Sequence, residues 1–456
     1  MTASKAGKQT RAPAQGNIRP FEVTHRAVFR MAVPMTLAYL TVPLIGVIDT
    51  IVIGQLGMAV LIGGIAVGAI VLDVVFTTFN FLRSGTTGLT AQALGAGDDK
   101  EMVAVLARAL LVALASGLLI VLLQWPIVEA GVFLMDPGAE VAAPMREYLH
   151  VRVWASPFGV ANYVLLGWLL GLGRSVMALA VQMLFAGLNV ILSLWFVLGL
   201  GYGVAGVAWA SVIAELVTVI IQIPLILRLA PLQARPSWGR IVDRAGFSRL
   251  IGVNRDIMIR SFALLFVFAF FTRQGAQLGE IILAANAILM HFFIVGGYFL
   301  DGFATAAEQL AGRAVGARYR PAFERVVRLT MLWGFATALV LSLAYLAIGP
   351  LIIDIMTTAE DVREVARRFL PWAVLTPIAG VIAFQMDGIF IGATWSRDMR
   401  NMMLLSVLVY LIAWAALTPL FGNHGLWMAL LIFLGARSVT FHWRMRRLLP
   451  PTFPSI

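Results

Sequence analysis

The chain of 456 residues has no cysteine and only three lysines, Lys5, Lys8 and Lys100. Without cysteine there are no disulfides, no thiolate nucleophile and no Cys-based metal site. None of the lysines stands in a Gly-x-x-x-x-Gly-Lys-Ser/Thr setting, which excludes ATP hydrolysis through a phosphate-binding loop. The five histidines, His25, His150, His291, His424 and His442, are scattered singly, with no His-Glu-x-x-His helix, and no Gly-x-Ser-x-Gly elbow is present. No catalytic residue, metal site or cofactor is therefore assigned, and the chain reads as a non-enzyme. Charge is scarce too, at 12% of residues. The first 25 residues, polar and basic, lack the apolar run of a signal peptide.

What fills the chain instead is hydrocarbon. Sixty percent of residues are hydrophobic and the mean hydropathy is +0.90, far above the 45–50% apolar share of soluble domains. Apolar runs predict twelve helices, near 26–54, 58–94, 102–123, 146–171, 176–198, 204–228, 251–273, 280–311, 322–348, 363–393, 399–420 and 424–443. Most are long enough to cross roughly 30 Å of hydrocarbon.

The halves resemble each other at a fixed offset of 221 residues: Gly54 matches Gly275, Ala66 Ala287, Leu89 Leu310, Gly95 Gly316, Gly171 Gly392 and Ser175 Ser396. A constant ungapped offset marks a duplication. Six helices per half is an even number, so the repeats run parallel and the axis relating them lies along the membrane normal. The expected architecture is an all-α membrane protein, twelve transmembrane helices in two parallel-repeat six-helix lobes around a central cavity. The expected divisions are a cytoplasmic tail 1–25, an N-terminal lobe 26–228, a cytoplasmic linker 229–250, a C-terminal lobe 251–443 and a cytoplasmic tail 444–456.

The net charge of +11 is not a nucleic-acid footprint, because the basic residues alternate by loop. They gather before the first helix, in every second connection and after the last helix, at Arg444, Arg446 and Arg447. The positive-inside rule then places both termini in the cytoplasm, and a cysteine-free chain fits a bacterial inner membrane.

A carboxylate at a helix centre costs about 2.5–3.5 kcal/mol on insertion scales, so each one marks a site or a pair. Asp49 lies in the apolar stretch PLIGVIDTIVIG, and counting along the helices brings Asn189, Ser193 and Ser211 to similar depth, with Glu215 a turn deeper. This cluster reads either as a protonatable site or as polar glue between helices. Asp73, Asp301 and Asp387 are candidates for substrate contact or gating; for Asp387 a salt bridge with Arg367, Arg368 or Arg397 is the plainer alternative. Asp256 and Arg260, four residues apart, are expected to pair. Met183, Trp209, Phe292, Phe293 and Phe384 suit an adaptable apolar pocket, although such residues more often pack or face lipid.

Several stretches resemble the multidrug and toxic compound extrusion (MATE) family, and more closely its DinF-like branch: DTIVIGQLG, FLRSGTTGLTAQALGAGD, GVAGVAWASVIAE, NRDIMIRS, YFLDGFATAAEQLAGRAVGAR and DGIFIGATWSRDMRNMM. The resemblance implies two six-helix lobes and export of organic, often cationic or amphipathic compounds in exchange for protons or sodium ions. It also implies that Asp49 is the helix-one coupling aspartate, Pro34 the proline whose bend answers to its protonation, and Asn189 and Ser211 further members of the site.

Ser193 departs from the pattern, standing where many relatives carry a second aspartate. A sodium site draws affinity from carboxylate charge, whereas a proton needs one titrating group. Protons are therefore the favoured coupling ion over sodium, with Glu215 a candidate second acid. The expected partners are small-molecule drugs or toxins and the lipid bilayer, without nucleic acid, for a monomer. A lipid-linked glycan or lipid flippase and a non-transporting scaffold are the alternatives; the mostly acidic intramembrane charge disfavours the anionic headgroup of the first.

Overall fold

The protein is described from a computed structural model covering residues 18–230 and 232–454. Lys5, Lys8 and Arg11 of the expected N-terminal tail, and Pro231 of the linker, lie outside the described residues. We label the long helices α1 (His25–Gly54), α2 (Ala59–Ala96, through a turn at Asn80), α3 (Asp99–Leu122), α4 (Ala139–Gly171), α5 (Ser175–Leu194) and α6 (Gly203–Leu229) in the first half. The second half contributes α7 (Arg244–Gln277), α8 (Glu280–Gly316), α9 (Arg320–Met356), α10 (Glu360–Gly392), α11 (Ser396–Phe421) and α12 (Asn423–Thr452). Eleven of these carry apolar windows long enough to cross a membrane, and α7 is the twelfth span. The fold is a twelve-helix membrane bundle of two lobes.

Element ends moved where polar residues extend helices into water. A short helix, Gln124–Met135, fills what the sequence suggested was a bare connection, and α4 starts at Ala139 with Pro144 inside it. The linker is half helical, because α7 begins at Arg244, its N-terminus capped by Asp243 Oδ2 accepting from the Gly246 N–H at 2.7 Å. Likewise α12 runs on to Thr452. Two of its arginines there are engaged: Arg444 Nε donates to Asp398 at 2.6 Å, and the Arg447 guanidinium stacks on Trp443 at 3.9 Å.

The duplication is visible atom by atom where helices cross. A Cβ on Gly95 of α2 would stand 2.1 Å from the carbonyl oxygen of Arg313 on α8, and one on Gly316 would stand 2.0 Å from that of Gln92. Gln92 and Arg313 are themselves 221 residues apart, so α2 and α8 cross on the repeat axis. Within each lobe the same rule recurs: Gly167 lies against the Arg83 carbonyl and Gly388 against that of Ala304, at 2.3 and 2.1 Å. Only glycine lets backbones approach this closely, as in small-residue packing of membrane helices.

This crossing lies at the face that carries both described chain ends. The Arg19 N–H donates to the Ala317 carbonyl at 3.1 Å, and Phe453 packs on Phe323 near the start of α9. Side chains reinforce it between lobes. Gln92 Nε2 donates to the Gly392 carbonyl at 2.9 Å, Gln309 Nε2 to that of Gly171 at 3.3 Å, and Tyr39 and Thr305 share a hydrogen bond of 2.9 Å. Arg83 of α2 stands 3.8 Å from Glu308 of α8.

Two expected ion pairs resolve differently. Asp387 pairs with Arg260 and with Arg437 (2.5 Å) rather than with Arg367, Arg368 or Arg397. Asp256 takes Arg400 (2.6 Å) and Arg255 (3.3 Å), not Arg260. Local spacing of four residues set the expectation, but α10 and α12 present Asp387 and Arg437 to Arg260 across the lobe interior. Arg437 is 2% exposed, and removing one partner from such a buried set strands the other charge. We expect Asp387→Leu, which strands two guanidiniums, to destabilise the protein by about 3–5 kcal/mol, read as a lowered midpoint of thermal unfolding in detergent; an unchanged midpoint refutes the structural role.

Candidate functional site

The N-terminal lobe encloses a cavity of about 530 Å³. It is built from the second half of α1 beyond Pro43, the middle of α2, and inward faces of α4, α5 and α6, closed by Tyr298 of α8. α1 continues as helix through both Pro34 and Pro43, although each removes one backbone hydrogen bond at its own position. Pro43 lies on the cavity wall and Pro34 does not.

Asp49 is on that wall and 7% exposed. Ser193, fully buried behind it on α5, donates its hydroxyl to Asp49 Oδ1 at 2.9 Å. Four residues earlier on α5, Asn189 Nδ2 donates to Ser211 Oγ of α6 at 2.8 Å. Asn189 Oδ1 is left buried without a hydrogen-bond partner among the described residues. The helical turn shared by Asn189 and Ser193 thus aims one residue at α6 and the other at α1, and a π-turn, Trp195–Gly199, follows directly.

Glu215, one turn beyond Ser211, is on the same wall but carries its own counter-charge. Arg152 of α4 donates from Nη2 to Glu215 Oε1 at 3.0 Å, and Asn162 Nδ2 donates to the Glu215 backbone carbonyl at 3.2 Å. Gln222 Nε2 continues the chain to Asn162 Oδ1 at 2.8 Å. Asp73 of α2 is exposed on the wall and makes no ion pair among the described residues. The wall thus carries three carboxylates against one guanidinium.

Asp301 and Asp387 are not on this wall. Asp387 is held in the C-terminal lobe by its arginines, and Asp301 sits one turn past Tyr298 on α8. The aromatic candidates also lie elsewhere: Met183 and Trp209 are exposed, and Phe292 and Phe293 pack in the C-terminal core. Phe384 is packed against that same core. The rings that do line the cavity are Phe76, Tyr148, Tyr163, Phe185 and Tyr298. Sequence reasoning did not single out Arg152, Asn162 and Gln222, because it followed the residues at the depth of Asp49 and the acidic residues within spans. An arginine inside the hydrophobic stretch 146–171 was the available signal.

The MatE family model matches residues 34–195 and 257–415, once in each lobe. The chain belongs to the MatE family. It is 38% identical over 431 residues to the DNA damage-inducible protein F of Escherichia coli (strain K12), covering 92% of this chain and 93% of that one. It is 28% identical to a probable multidrug resistance protein NorM of Rhizobium meliloti (strain 1021), over 93% and 94% of the two chains. Among solved structures, a MATE protein in the bent conformation superposes with a TM-score of 0.86 at 20% identity, covering 94% of this chain and 97% of that one. MatE membership makes the chain a multi-pass membrane transporter, and the two family matches fall on the two repeats.

Proposed function

We propose that the protein is a proton-coupled efflux antiporter for organic, mainly cationic compounds, working by alternating access in a bacterial inner membrane. The observation that carries this reading is the N-lobe cavity, where Asp49 is buried against a single serine hydroxyl and the wall is net acidic. An acidic wall concentrates cations and repels anionic headgroups, and a carboxyl group in an apolar enclosure is one that can exchange a proton with each cycle.

Protons are favoured over sodium by charge arithmetic at the site. Ser193 gives Asp49 a hydroxyl where a second carboxylate would strengthen sodium binding. Glu215 does not replace that charge, because Arg152 already neutralises it. The same guanidinium opposes a second fixed cation in the cavity. With the termini in the cytoplasm, as the positive-inside rule favours, the α2–α8 crossing closes the cytoplasmic side and leaves the cavity facing outward.

In the proposed cycle, substrate enters an inward-open form, the lobes rock, and protonation of Asp49 from outside releases it. One proton supplies about 1.4 kcal/mol per pH unit and about 2.3 kcal/mol per 100 mV when net charge moves. Exchange of one proton for a monovalent cation is electroneutral and draws on the pH term alone. The test is substrate-dependent proton release from purified protein. We expect close to one proton per bound cation, indifferent to sodium; sodium-dependent binding without proton release overturns the coupling assignment.

A further inference from the structure

The first three turns of α7 carry a groove of about 480 Å³ lined by Arg244, Phe247, Ser248, Ile251, Gly252 and Arg255. Steps of three and four residues put all six on one helix face. The opposite face is pinned. Gly246 lies against the Arg108 guanidinium, where a Cβ would stand 2.5 Å from the central carbon, and Arg249 donates to Gln92 Oε1 at 2.6 Å. Leu250 is buried in the N-lobe core and Val253 in the C-lobe core. Arg108 also holds the linker, donating to the Arg240 and Ile241 carbonyls at 2.8 and 3.1 Å. The grooved face is therefore fixed outward, with Ile251 55% exposed.

Both cations of the groove are open to a ligand. Arg244 is exposed and makes no ion pair among the described residues. The Arg255 side chain is 59% exposed, and its partner Asp256, 3.3 Å away, is held closer by Arg400 at 2.6 Å. Helical side chains lean toward the N-terminus, which tips Arg255 over Gly252 toward the exposed Ser248 hydroxyl. Gly252 keeps that path clear, because a Cβ there would meet nothing within 4 Å.

We propose that this groove holds an anionic phospholipid of the cytoplasmic leaflet, with its phosphate between Arg244, Ser248 and Arg255 and an acyl chain running past Ile251. Guanidinium is the side chain best matched to phosphate oxygens. With the termini in the cytoplasm, the span that begins at residue 251 puts Ser248 at headgroup depth on that side. A zwitterionic headgroup brings its own ammonium to the arginines and binds more weakly. The bound lipid touches the one turn of α7 that passes from the N-lobe core to the C-lobe core. The site is independent of what the cavity transports.

The test is native mass spectrometry of the full-length protein in detergent, titrated with phosphatidylglycerol or with phosphatidylethanolamine of identical acyl chains. Phosphatidylglycerol is expected to bind at least about tenfold tighter. Arg244→Gln and Arg255→Gln should each weaken it about fivefold and leave phosphatidylethanolamine unchanged. Gly252→Leu, which alters no charge and favours the helix, should weaken it as much by filling the path to Ser248. Arg446→Gln, which removes an exposed arginine near the end of α12, should not. The site is overturned if folded wild-type protein binds both lipids alike, if Gly252→Leu leaves the preference intact, or if Arg446→Gln lowers it as much as Arg255→Gln does. Displacement of the lipid by inorganic phosphate would mean a free-anion site and overturns it too.

Discussion

Replacing Asp49 with asparagine is expected to abolish pH-driven efflux in proteoliposomes while leaving the protein folded. Asparagine has the volume of aspartate, and its amide oxygen still accepts the Ser193 hydroxyl that now donates at 2.9 Å. What it cannot do is alternate between a charged and a neutral state. Without that alternation, substrate binding and proton binding are no longer exclusive, and a pH gradient has nothing to act on. A cation that still binds through Asp73 would be carried downhill at best. The discriminating measurement is accumulation against a gradient with an imposed pH difference, alongside proton release on substrate addition. Coupled accumulation surviving in Asp49→Asn would remove Asp49 from the mechanism and leave Asp73 as the carboxylate to examine. Asp49→Glu separates charge from position: it keeps a titrating group but pushes it one methylene into a wall that is already closed by Ser193, and partial activity is the expected outcome.

The frame of the molecule was legible because it is written in periodic, local signals. Hydrophobic length fixed the spans, and the 221-residue offset fixed the pairing of Gly95 with Gly316, which the structure uses at one crossing. The polar cluster was partly legible for a similar reason. Counting residues from helix ends gives depth, and depth brought Asp49, Asn189, Ser193 and Ser211 together. Depth says nothing about azimuth. Hence Asp256 was matched to its neighbour on the same helix, whereas its strongest partner, Arg400, comes from α11. Glu215 was weighed as an acid without the arginine that neutralises it, because Arg152 arrives from α4 and only the fold brings the two within 3.0 Å. Tyr298 reaches the N-lobe cavity from the opposite lobe, a contact that no treatment of the halves as separate repeats would give.

The second large effect is expected at the α2–α8 crossing, where the absence of native cysteine makes a clean experiment. Ala91 Cβ lies 2.8 Å from the place a Cβ on Gly312 would occupy, about 1 Å inside the mean Cβ separation of a disulfide. The paired substitution Ala91→Cys and Gly312→Cys should therefore crosslink under mild oxidation, the helices easing apart slightly to admit it. If the lobes must part at this face for substrate to enter, the oxidised protein holds its cavity open on one side only, and transport stops until the bond is reduced. Binding of a cationic dye from the open side should persist, because nothing in the cavity has been altered. That combination, arrested transport with retained binding and recovery on reduction, is what rocking about the repeat axis requires. Each interlobe contact at this face, from the Gln92 hydrogen bond with the Gly392 carbonyl to the Arg83–Glu308 pair, has to break once per cycle under the same scheme. Full transport in a quantitatively crosslinked protein would mean that these contacts never open, and that the substrate path runs through one lobe rather than between two.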